Sequence, residues 1–263
     1  MNRDNTPFPN FSYKKLHTVS LRKVRHAVHY FNMLEPGDRV IVGVSGGVDS
    51  LALLSLFGSH KNNWMEQIEI IPLHIAAGFP TKPDELNRLK DYCDRLGLPL
   101  RIEYRDIESK AFAENAPFNP CFICSRMRRK ALFETAELMG ATKVALGHHM
   151  DDLIETFFIN LIYGRELAGF MAKQELFAGK YHIIRPMFLL EKAHIEGLHT
   201  KRPFPVLSKI CPLDGSTKRD RVRMLLKSIY SENPKLKKNI FKALFHVKHE
   251  YLLENFKDLL GQI

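Results

Sequence analysis

Short runs of β-branched and aliphatic residues alternate with longer segments whose apolar positions recur at helical spacing, as far as about residue 165. The runs predict strands at residues 39–44, 68–75, 100–104 and 143–146. The longer segments predict helices at residues 51–57, 85–96, 126–139 and 153–162. Strands and helices that alternate in this way predict an α/β fold, a parallel twisted sheet with helices on both faces.

The pattern differs at the two ends of the chain. Leu21, Val24, Val28 and Phe31 predict a helix before the first strand. After residue 165 we predict a strand or hairpin at 181–185, a helix at 192–199, a short strand at 204–207 and basic helices from residue 218. The predicted regions are therefore an N-terminal arm and helix (1–35), an α/β domain (36–210) and a basic helical C-terminal region (211–263).

Composition narrows the class of protein. The chain has 263 residues, of which 45% are hydrophobic and 26% charged, as expected for a large globular domain. It has no run of about 18 uncharged apolar residues and no export signal near its first residue, so we expect a cytoplasmic protein without a membrane partner. Four cysteines are too few for a disulfide scaffold, which favours metal binding or redox chemistry.

Positive charge is concentrated near the C-terminus. The net charge is +10, and residues 201–249 contain 13 lysine and arginine residues against 3 acidic ones. Such a block is typical of proteins that bind nucleic acid, because lysine and arginine displace counterions from phosphates. A solvated face that only promotes solubility is the alternative interpretation.

The loop after the first strand has the composition of a phosphate site. It reads Ser45-Gly46-Gly47-Val48-Asp49-Ser50 and opens a predicted helix. Paired glycines let the backbone approach an anion, and the following helix directs its N–H groups and positive dipole end at it. Asp49 would repel a bare phosphate, so its presence indicates a divalent cation such as Mg²⁺ between carboxylate and phosphate.

A second polar loop follows the strand at 143–146. It reads Gly147-His148-His149-Met150-Asp151-Asp152. Because the carboxyl ends of parallel strands meet at one edge of the sheet, we expect both loops at that edge. The adjacent carboxylates fit cation ligands or acid–base groups, although acids at a helix start are also favoured by the helix dipole.

The cysteines form a third candidate site. Cys121 and Cys124 have the spacing of a metal or dithiol pair, and zinc, an iron–sulfur cluster and a redox pair all remain open. The basic run at 126–130 is expected to lower the pKa of these thiols. Cys211 lies near the start of the basic block, and Cys93 falls in a predicted helix as a small buried residue.

These motifs together resemble a known family. The first loop is similar to the SGGxDS loop of ATP-pyrophosphatases, and the second to a motif of their RNA-modifying members. With the cysteines, the chain resembles the iron–sulfur-dependent tRNA 2-thiocytidine synthetases over about residues 30–230. Further matching segments are Phe31-Asn32-Met33, Gly37-Asp38-Arg39-Val40 and Ile184-Arg185-Pro186.

The resemblance implies a fold, a reaction and a set of roles. Residues 36–210 would form a PP-loop ATP-pyrophosphatase domain of the adenine nucleotide alpha-hydrolase-like, Rossmann-like kind. The enzyme would adenylate a base carbonyl of tRNA, release pyrophosphate, and replace the oxygen with sulfur to give 2-thiocytidine. Implied cofactors are ATP, Mg²⁺ and a 4Fe-4S cluster, whose open iron would carry sulfide. Implied partners are tRNA and a sulfur donor, either a cysteine desulfurase or sulfide, and a homodimer is an expected assembly.

The same resemblance assigns individual residues. Catalytic roles fall on Cys121, Cys124 and Asp151, and the cluster ligands are Cys121, Cys124 and Cys211. The nucleotide and its cation would be bound by Ser45, Gly46, Gly47, Asp49, Ser50, Gly147, His148 and Asp152.

The chain departs from the family pattern, and other functions fit the same residues. Val48 replaces a common lysine, residues 75–77 are apolar where an acid is frequent, and Asp214 stands where a fourth cysteine is common. One alternative is a cysteine-persulfide thiolase without a cluster. Others are a lysidine-synthetase-like amine ligase and a non-enzymatic zinc protein that binds RNA.

Overall fold

A computed structural model of the chain describes residues 8, 10–58, 67–208, 211–213, 215 and 217–252. The strands are β1 (Arg39–Gly43), β2 (Glu69–Ala76), β3 (Arg101–Tyr104), β4 (Lys143–Ala145), β5 (Lys173–Leu176) and β6 (Tyr181–Ile184). The helices are α1 (Tyr13–Tyr30), α2 (Val48–Gly58), α3 (Pro83–Arg95), α4 (Glu108–Ala111), α5 (Pro120–Leu138), α6 (Met150–Ile159), α7 (Lys192–Lys201), α8 (Lys218–Glu232) and α9 (Lys235–Ala243). A π-helix, Asn160–Gly164, continues α6, and a 3-10 helix covers His249–Tyr251.

The strands form one six-stranded sheet in the order β3-β2-β1-β4-β6-β5. All neighbouring pairs are parallel except β5 with β6, which is antiparallel. In the centre, Ile41 of β1 stands opposite Ile71 of β2 and Val144 of β4. The predicted α/β fold with a parallel sheet is therefore confirmed, with an antiparallel edge strand added.

Helices cover both faces of the sheet. On one face, Ile41, Leu73 and Val144 pack in a buried cluster with Ala131 and Phe133 of α5. Side chains alternate along a strand, so Val40 and Val42 point to the opposite face, where α2 packs on β1. The leucines of α2 are completely buried, which explains why this helix is apolar all round rather than amphipathic.

Two predicted elements differ from the observed ones. The helix predicted at 126–139 begins at Pro120, where proline stands at the first turn and Asn119 caps the helix, so the cysteine pair lies on a helix. The strand predicted at 204–207 is wrong. Its backbone pairs with a loop instead, since the amide of Leu207 donates to the carbonyl of Gly46.

The chain divides into two compact units. The first unit comprises Met1–Asp152 and Phe170–Gly215, and the second comprises Leu153–Gly169 and Ser216–Ile263. The sheet lies in the first unit, whereas α8, α9 and most of α6 belong to the second. The division of the sequence at residues 36 and 211 stays a prediction. In the part of the chain that is described, no helix is long and apolar enough to cross a membrane.

The second unit has its own polar framework. Arg223 of α8 forms a bidentate pair with the buried carboxylate of Glu155 on α6, at 2.8 and 3.0 Å. Thr217 and Asp220 form a capping box at the start of α8. These contacts leave basic residues of α8 and α9 on the surface, including Arg221, Lys227, Lys235 and Lys242.

A buried ion pair lies in the first unit at the amino end of the sheet. The ammonium of Lys143, on β4, is 2.6 Å from a carboxylate oxygen of Asp38, which precedes β1, and both side chains are nearly inaccessible. Each charge is tolerable there because the other neutralises it. This pair therefore fixes the starts of two central strands relative to each other.

We expect Lys143→Met to destabilise the protein by about 3 kcal/mol, because it leaves the charge of the buried Asp38 carboxylate without a cationic partner. Urea unfolding measures the loss. Lys180→Met is the control, since the pair of Lys180 with Glu137 is exposed and its loss should be much smaller. Equal losses in both variants would contradict this account of the Lys143 pair.

Candidate active site

The loop after β1 is closed by its own serine hydroxyls. The amide of Ser45 donates to the hydroxyl of Ser50 at 3.2 Å, and that hydroxyl donates to the carbonyl of Gly47 at 2.9 Å. Gly46 adopts a φ of 80°, and a Cβ there would lie 2.5 Å from the side chain of Leu207. A side chain at Gly46 is therefore excluded twice, by strain and by collision, and the loop is held in one shape.

The loop after β4 lies directly against this first loop. A Cβ on Gly147 would lie 2.9 Å from the carbonyl carbon of Asp49 and 3.0 Å from the amide nitrogen of Ser50. These neighbours are backbone atoms at the start of α2, which cannot move aside as a flexible side chain can. The two motifs predicted to share one edge of the sheet thus meet in backbone contact.

Asp49 lies among positive groups. Its carboxylate is 2.5 Å from the ammonium of Lys192, the first residue of α7, and 3.5 Å from Nε2 of His149. Burial would raise the pKa of Asp49, but His149 and Lys192 outweigh it and lower the pKa to about 2. Asp49 is therefore a stable carboxylate at neutral pH.

The paired carboxylates of the second loop join the same network. Asp151 accepts a hydrogen bond from the backbone amide of Lys192 at 2.8 Å, and Asp152 accepts one from the amide of His149 at 3.0 Å. Burial would lower the pKa of His149, but Asp49, Asp152 and Asp151 raise it above its usual value. His149 thus lies within 3.7 Å of all three carboxylates, and Lys192 contacts Asp49 through its ammonium and Asp151 through its amide.

The cysteine pair occupies the first turn of α5. The side chain of Asn119 accepts a hydrogen bond from the amide of Cys121 at 2.9 Å, which fixes the start of the helix. Cys121 and Cys124, three residues apart, share a helix face. Burial raises the pKa of the Cys121 thiol, and the neighbouring thiols of Cys211 and Cys124 raise it further. The predicted lowering of thiol pKa is therefore wrong for Cys121, and Cys211 lies beside the pair.

The thiols are neighbours rather than a closed ligand set. Within the described ranges, no three His, Cys, Asp or Glu side chains come together as ligands of one metal ion. All four cysteines are free thiols. Cys93 is completely buried on α3, and burial raises its pKa to about 12, so it is an unreactive core residue.

The segment that leads to Cys211 is attached to the first loop. Leu207 lies against Gly46, and the amide and hydroxyl of Ser208 both donate to the buried carboxylate of Glu85, at 3.0 and 2.6 Å. Cys211 is four positions after Leu207, so the two Cα atoms are at most about 14 Å apart. The cysteine group is therefore close to the phosphate-type loop.

A second connection runs from α5 to the same loop. His74 of β2 shares a hydrogen bond of 2.8 Å with the carbonyl of Val44, the residue just before Ser45. Burial lowers the pKa of His74, and the charge of Arg128 on α5 lowers it further. The helix that carries the cysteine pair thus has a charged side chain close to the first loop.

Comparison with known proteins identifies the family. The PP-loop domain model, an ATP-binding domain, matches residues 17–228. A tRNA-cytidine(32) 2-sulfurtransferase of Janthinobacterium sp. (strain Marseille) is 32% identical over 255 residues, covering 95% of this chain and 78% of the relative. One of Bordetella pertussis (strain Tohama I) is 34% identical over 248 residues, covering 93% and 76%. The chain belongs to the tRNA-cytidine(32) 2-sulfurtransferase family of PP-loop proteins.

Membership confirms the family expected from the two loops and the cysteines, and it makes the protein a transferase. The fold has also been solved in a relative. The structure of U34-tRNA thiolase NcsA from Methanococcus maripaludis with its 4Fe-4S cluster matches with a TM-score of 0.76 at 21% identity. The match covers 94% of this chain and 85% of that one. At this identity the likeness shows the shared fold, and the roles of single residues stay predictions.

Several residues of the site escaped the sequence analysis. Lys192 touches both motifs, through its ammonium and its amide, yet its sequence context indicates only the start of a helix. His149 was noticed in the second loop without a role, although it lies between the carboxylates. Leu207 was assigned to a strand. No local motif marks these residues, because each contacts the site through residues that are distant in the sequence.

Gly147→Ala is expected to lower ATP-dependent activity about a hundredfold while the protein stays folded, since the added methyl group pushes the two loops apart. ATP–pyrophosphate exchange in the presence of tRNA measures the effect, and circular dichroism checks the fold. Gly164→Ala is the control, because a Cβ there meets nothing nearer than 3.8 Å. Full exchange activity in Gly147→Ala would show that the contact is not required.

Proposed function

We propose that this protein is an ATP-dependent tRNA sulfurtransferase that adenylates the carbonyl of a cytidine and replaces its oxygen with sulfur, giving 2-thiocytidine. The relatives are named for position 32 of tRNA, which we propose as the target. One observation carries the proposal: the amide of Leu207, four positions before Cys211, donates to the carbonyl of Gly46, and the Cys211 thiol is near enough to Cys121 to raise its pKa. This supports a sulfur site next to the loop that would bind ATP.

The first loop would bind the pyrophosphate part of ATP. Ser45, Gly46, Gly47 and Ser50 form the cradle, and the amides at the start of α2 point to its mouth. Gly147 borders the same space from the loop after β4, and we propose that His148, the next residue, also contacts the nucleotide. The cytidine oxygen attacks the α-phosphorus of ATP, a new C–O–P linkage forms, and the bond to pyrophosphate breaks. The chain's part in this step is to hold both reactants in line.

Three carboxylates would hold the magnesium ion that accompanies ATP. Asp49, Asp151 and Asp152 suit Mg²⁺ because it prefers oxygen ligands and usually binds through carboxylates and substrate phosphates. In the described structure Lys192 forms an ion pair with Asp49, and His149 lies 3.7 Å from Asp151 and 3.3 Å from Asp152. Bound Mg²⁺ would neutralise the phosphate oxygens, and Lys192, released from Asp49, would then be free to hold the pyrophosphate.

Cys121, Cys124 and Cys211 would hold the proposed 4Fe-4S cluster. The donor chemistry fits, since the three thiols are close together and thiolates are the usual ligands of such clusters. With three protein ligands, the cluster supplies one iron open to sulfide. The helix start at Asn119 and the anchored segment before Cys211 would fix the positions of these ligands.

The second step exchanges oxygen for sulfur. A sulfur nucleophile adds to the activated carbon, the C–O bond breaks, and AMP leaves with the former carbonyl oxygen. AMP is a better leaving group than the unmodified carbonyl oxygen, which is why adenylation comes first. We propose that Cys121 and Cys124 contribute to this step as ligands of the cluster that would hold the sulfide, that Asp151 contributes to the activation step, and that a cysteine desulfurase or free sulfide is the source of the sulfur. A homodimer is the proposed assembly.

The direct test is synthesis of 2-thiocytidine on unmodified tRNA by anaerobically purified protein with ATP, Mg²⁺ and sulfide. We expect mass spectrometry to find the product with wild type and Cys93→Ala. Cys211→Ala should form none, because a cluster ligand is lost. Iron and sulfide analysis of the same samples should give iron in the first two proteins only.

Each alternative function has its own contrary result. An active, colourless protein without iron would favour persulfide transfer. If Cys211→Ala kept full ATP–pyrophosphate exchange activity and no protein formed a thiolated product, an amine ligase would be favoured. Bound zinc together with no ATP–pyrophosphate exchange would favour a non-enzymatic RNA-binding protein.

The basic helices of the second unit would bind tRNA phosphates. Lys235 and Lys242 are exposed on α9. The double variant Lys235→Ala with Lys242→Ala should weaken tRNA binding. It should also reduce the slope of the logarithm of the binding constant against the logarithm of the salt concentration by about 0.7–0.9 per lost phosphate contact. Filter binding at several salt concentrations measures the slope. The control is Lys90→Ala with Lys110→Ala, which removes the same charge from the first unit. The same change of slope in both double variants would indicate nonspecific charge rather than contact.

A further inference from the structure

Arg185 is a buried cation at the edge of the sheet where both loops lie. It directly follows β6, which runs parallel to β4, and its side chain is only 5% exposed. The amide of Leu146 donates to the carbonyl of Ile184, so Arg185 is next to the start of the second loop. The local sequence, Ile184-Arg185-Pro186, does not indicate a role for this arginine.

The partners of Arg185 are all neutral. Its guanidinium donates to the carbonyl of Met171 at 2.5 Å, to the side-chain oxygen of Gln174 at 3.3 Å and to Nδ1 of His148 at 3.3 Å. It also lies 4.6 Å from the ring centre of Phe170. Among the residues that the structure describes, no carboxylate forms an ion pair with it.

Lys143 provides an internal comparison. It is equally buried, on the neighbouring strand, but at the opposite end of the sheet, and there Asp38 neutralises it. Buried arginine and lysine side chains are rare unless they are paired, because burial of an isolated charge is costly. Arg185 is therefore the exceptional case, and its charge is available for an anion that the chain itself does not supply.

A second cation reinforces this positive charge. Arg129 of α5 is exposed and close enough to act on Arg185. Burial, and then the charge of Arg129, lower the pKa of Arg185 to about 10, so Arg185 stays protonated at neutral pH. Arg129 is on the helix of the cysteine pair, whereas His148 is in the nucleotide loop. Arg185 thus contacts the second loop directly, and the charge that acts on it comes from the helix of the cysteine pair.

We propose that Arg185, assisted by Arg129, binds a phosphate ester anion of the substrate. An arginine has five N–H donors, and the three contacts above leave two of them for a ligand. Two donors in one plane match two oxygens of a phosphate, and the neighbouring charge strengthens both bonds. The inference rests on the proposed function, because that function brings phosphate esters to this edge of the sheet.

Two parts of the proposed substrates carry this chemistry. One is the AMP phosphate that is attached to the activated base, and the other is a backbone phosphate of the RNA next to the target cytidine. Both are monoanions that would lie between the nucleotide loop and the cysteine helix. Binding of each alone separates them, with AMP as one probe and an unmodified anticodon stem-loop RNA as the other.

The test measures the affinity of the full-length protein for each probe by titration calorimetry. Arg185→Met should weaken one of the two by about ten- to a hundredfold, the usual effect of losing charge-assisted hydrogen bonds. Arg185→Lys keeps the charge and should recover part of the loss. Arg39→Met is the control, because Arg39 is exposed and pairs with Glu69 at the other end of the sheet.

Thermal unfolding separates binding from a structural role. A binding role predicts that the probe raises the melting temperature of wild type but not of Arg185→Met. Unchanged affinity for both probes in Arg185→Met would overturn the inference while leaving the proposed function intact. If wild type bound neither probe, both would fail. Should Arg185→Met not fold, Arg129→Met tests the same site on an exposed position, and unchanged affinity there would overturn the inference as well.

Discussion

The contact between the backbone of Gly147 and the backbone of Asp49 and Ser50 determines how the rest of the site is built. It is possible only because β1 and β4 are adjacent and parallel, so that their loops leave the sheet side by side. Once the loops touch, Asp49 is brought close to Asp151 and Asp152. The three carboxylates repel one another, and the ion pair of Lys192 with Asp49 offsets part of this repulsion, while His149 lies within 3.7 Å of all three. This one steric contact thus determines which charged side chains lie near one another at this edge of the sheet.

Features that depend on neighbouring residues could be predicted from the sequence. The alternation of strands and helices, the two polar loops and their common edge follow from local patterns and from the geometry of parallel sheets. The start of α5 at Pro120 could also have been predicted, since proline in the first turn and asparagine as the N-cap are common at helix starts. β5 was not, because its four residues, Lys173–Leu176, are mostly polar and gain their strand conformation from pairing with β6.

Contacts between segments that are distant in the chain could not be predicted from the sequence. Nothing near Leu207 indicates that its amide pairs with Gly46, and nothing near Lys192 indicates Asp49. The basic run after the cysteines illustrates the same problem. Its charges were expected to act on the thiols, but the folded helix brings Arg128 close to His74 and Arg129 close to Arg185. The pKa of the Cys121 thiol is instead raised by burial and by the thiols of Cys211 and Cys124.

At the carboxyl edge of the sheet the carboxylates lie at the two loops together with Lys192, whereas Arg185 has only neutral partners among the described residues. Under the proposed function this arrangement favours one orientation of a bound substrate. Asp49, Asp151 and Asp152 stand on the side of the two loops, where a cation can be shared with phosphates. Arg185 and Arg129 stand toward the cysteine helix and have no acidic partner among the described side chains. A nucleotide with its metal ion would therefore be drawn to the first side, and a phosphate without metal to the second. The reacting base would then be held between them, close to the thiols.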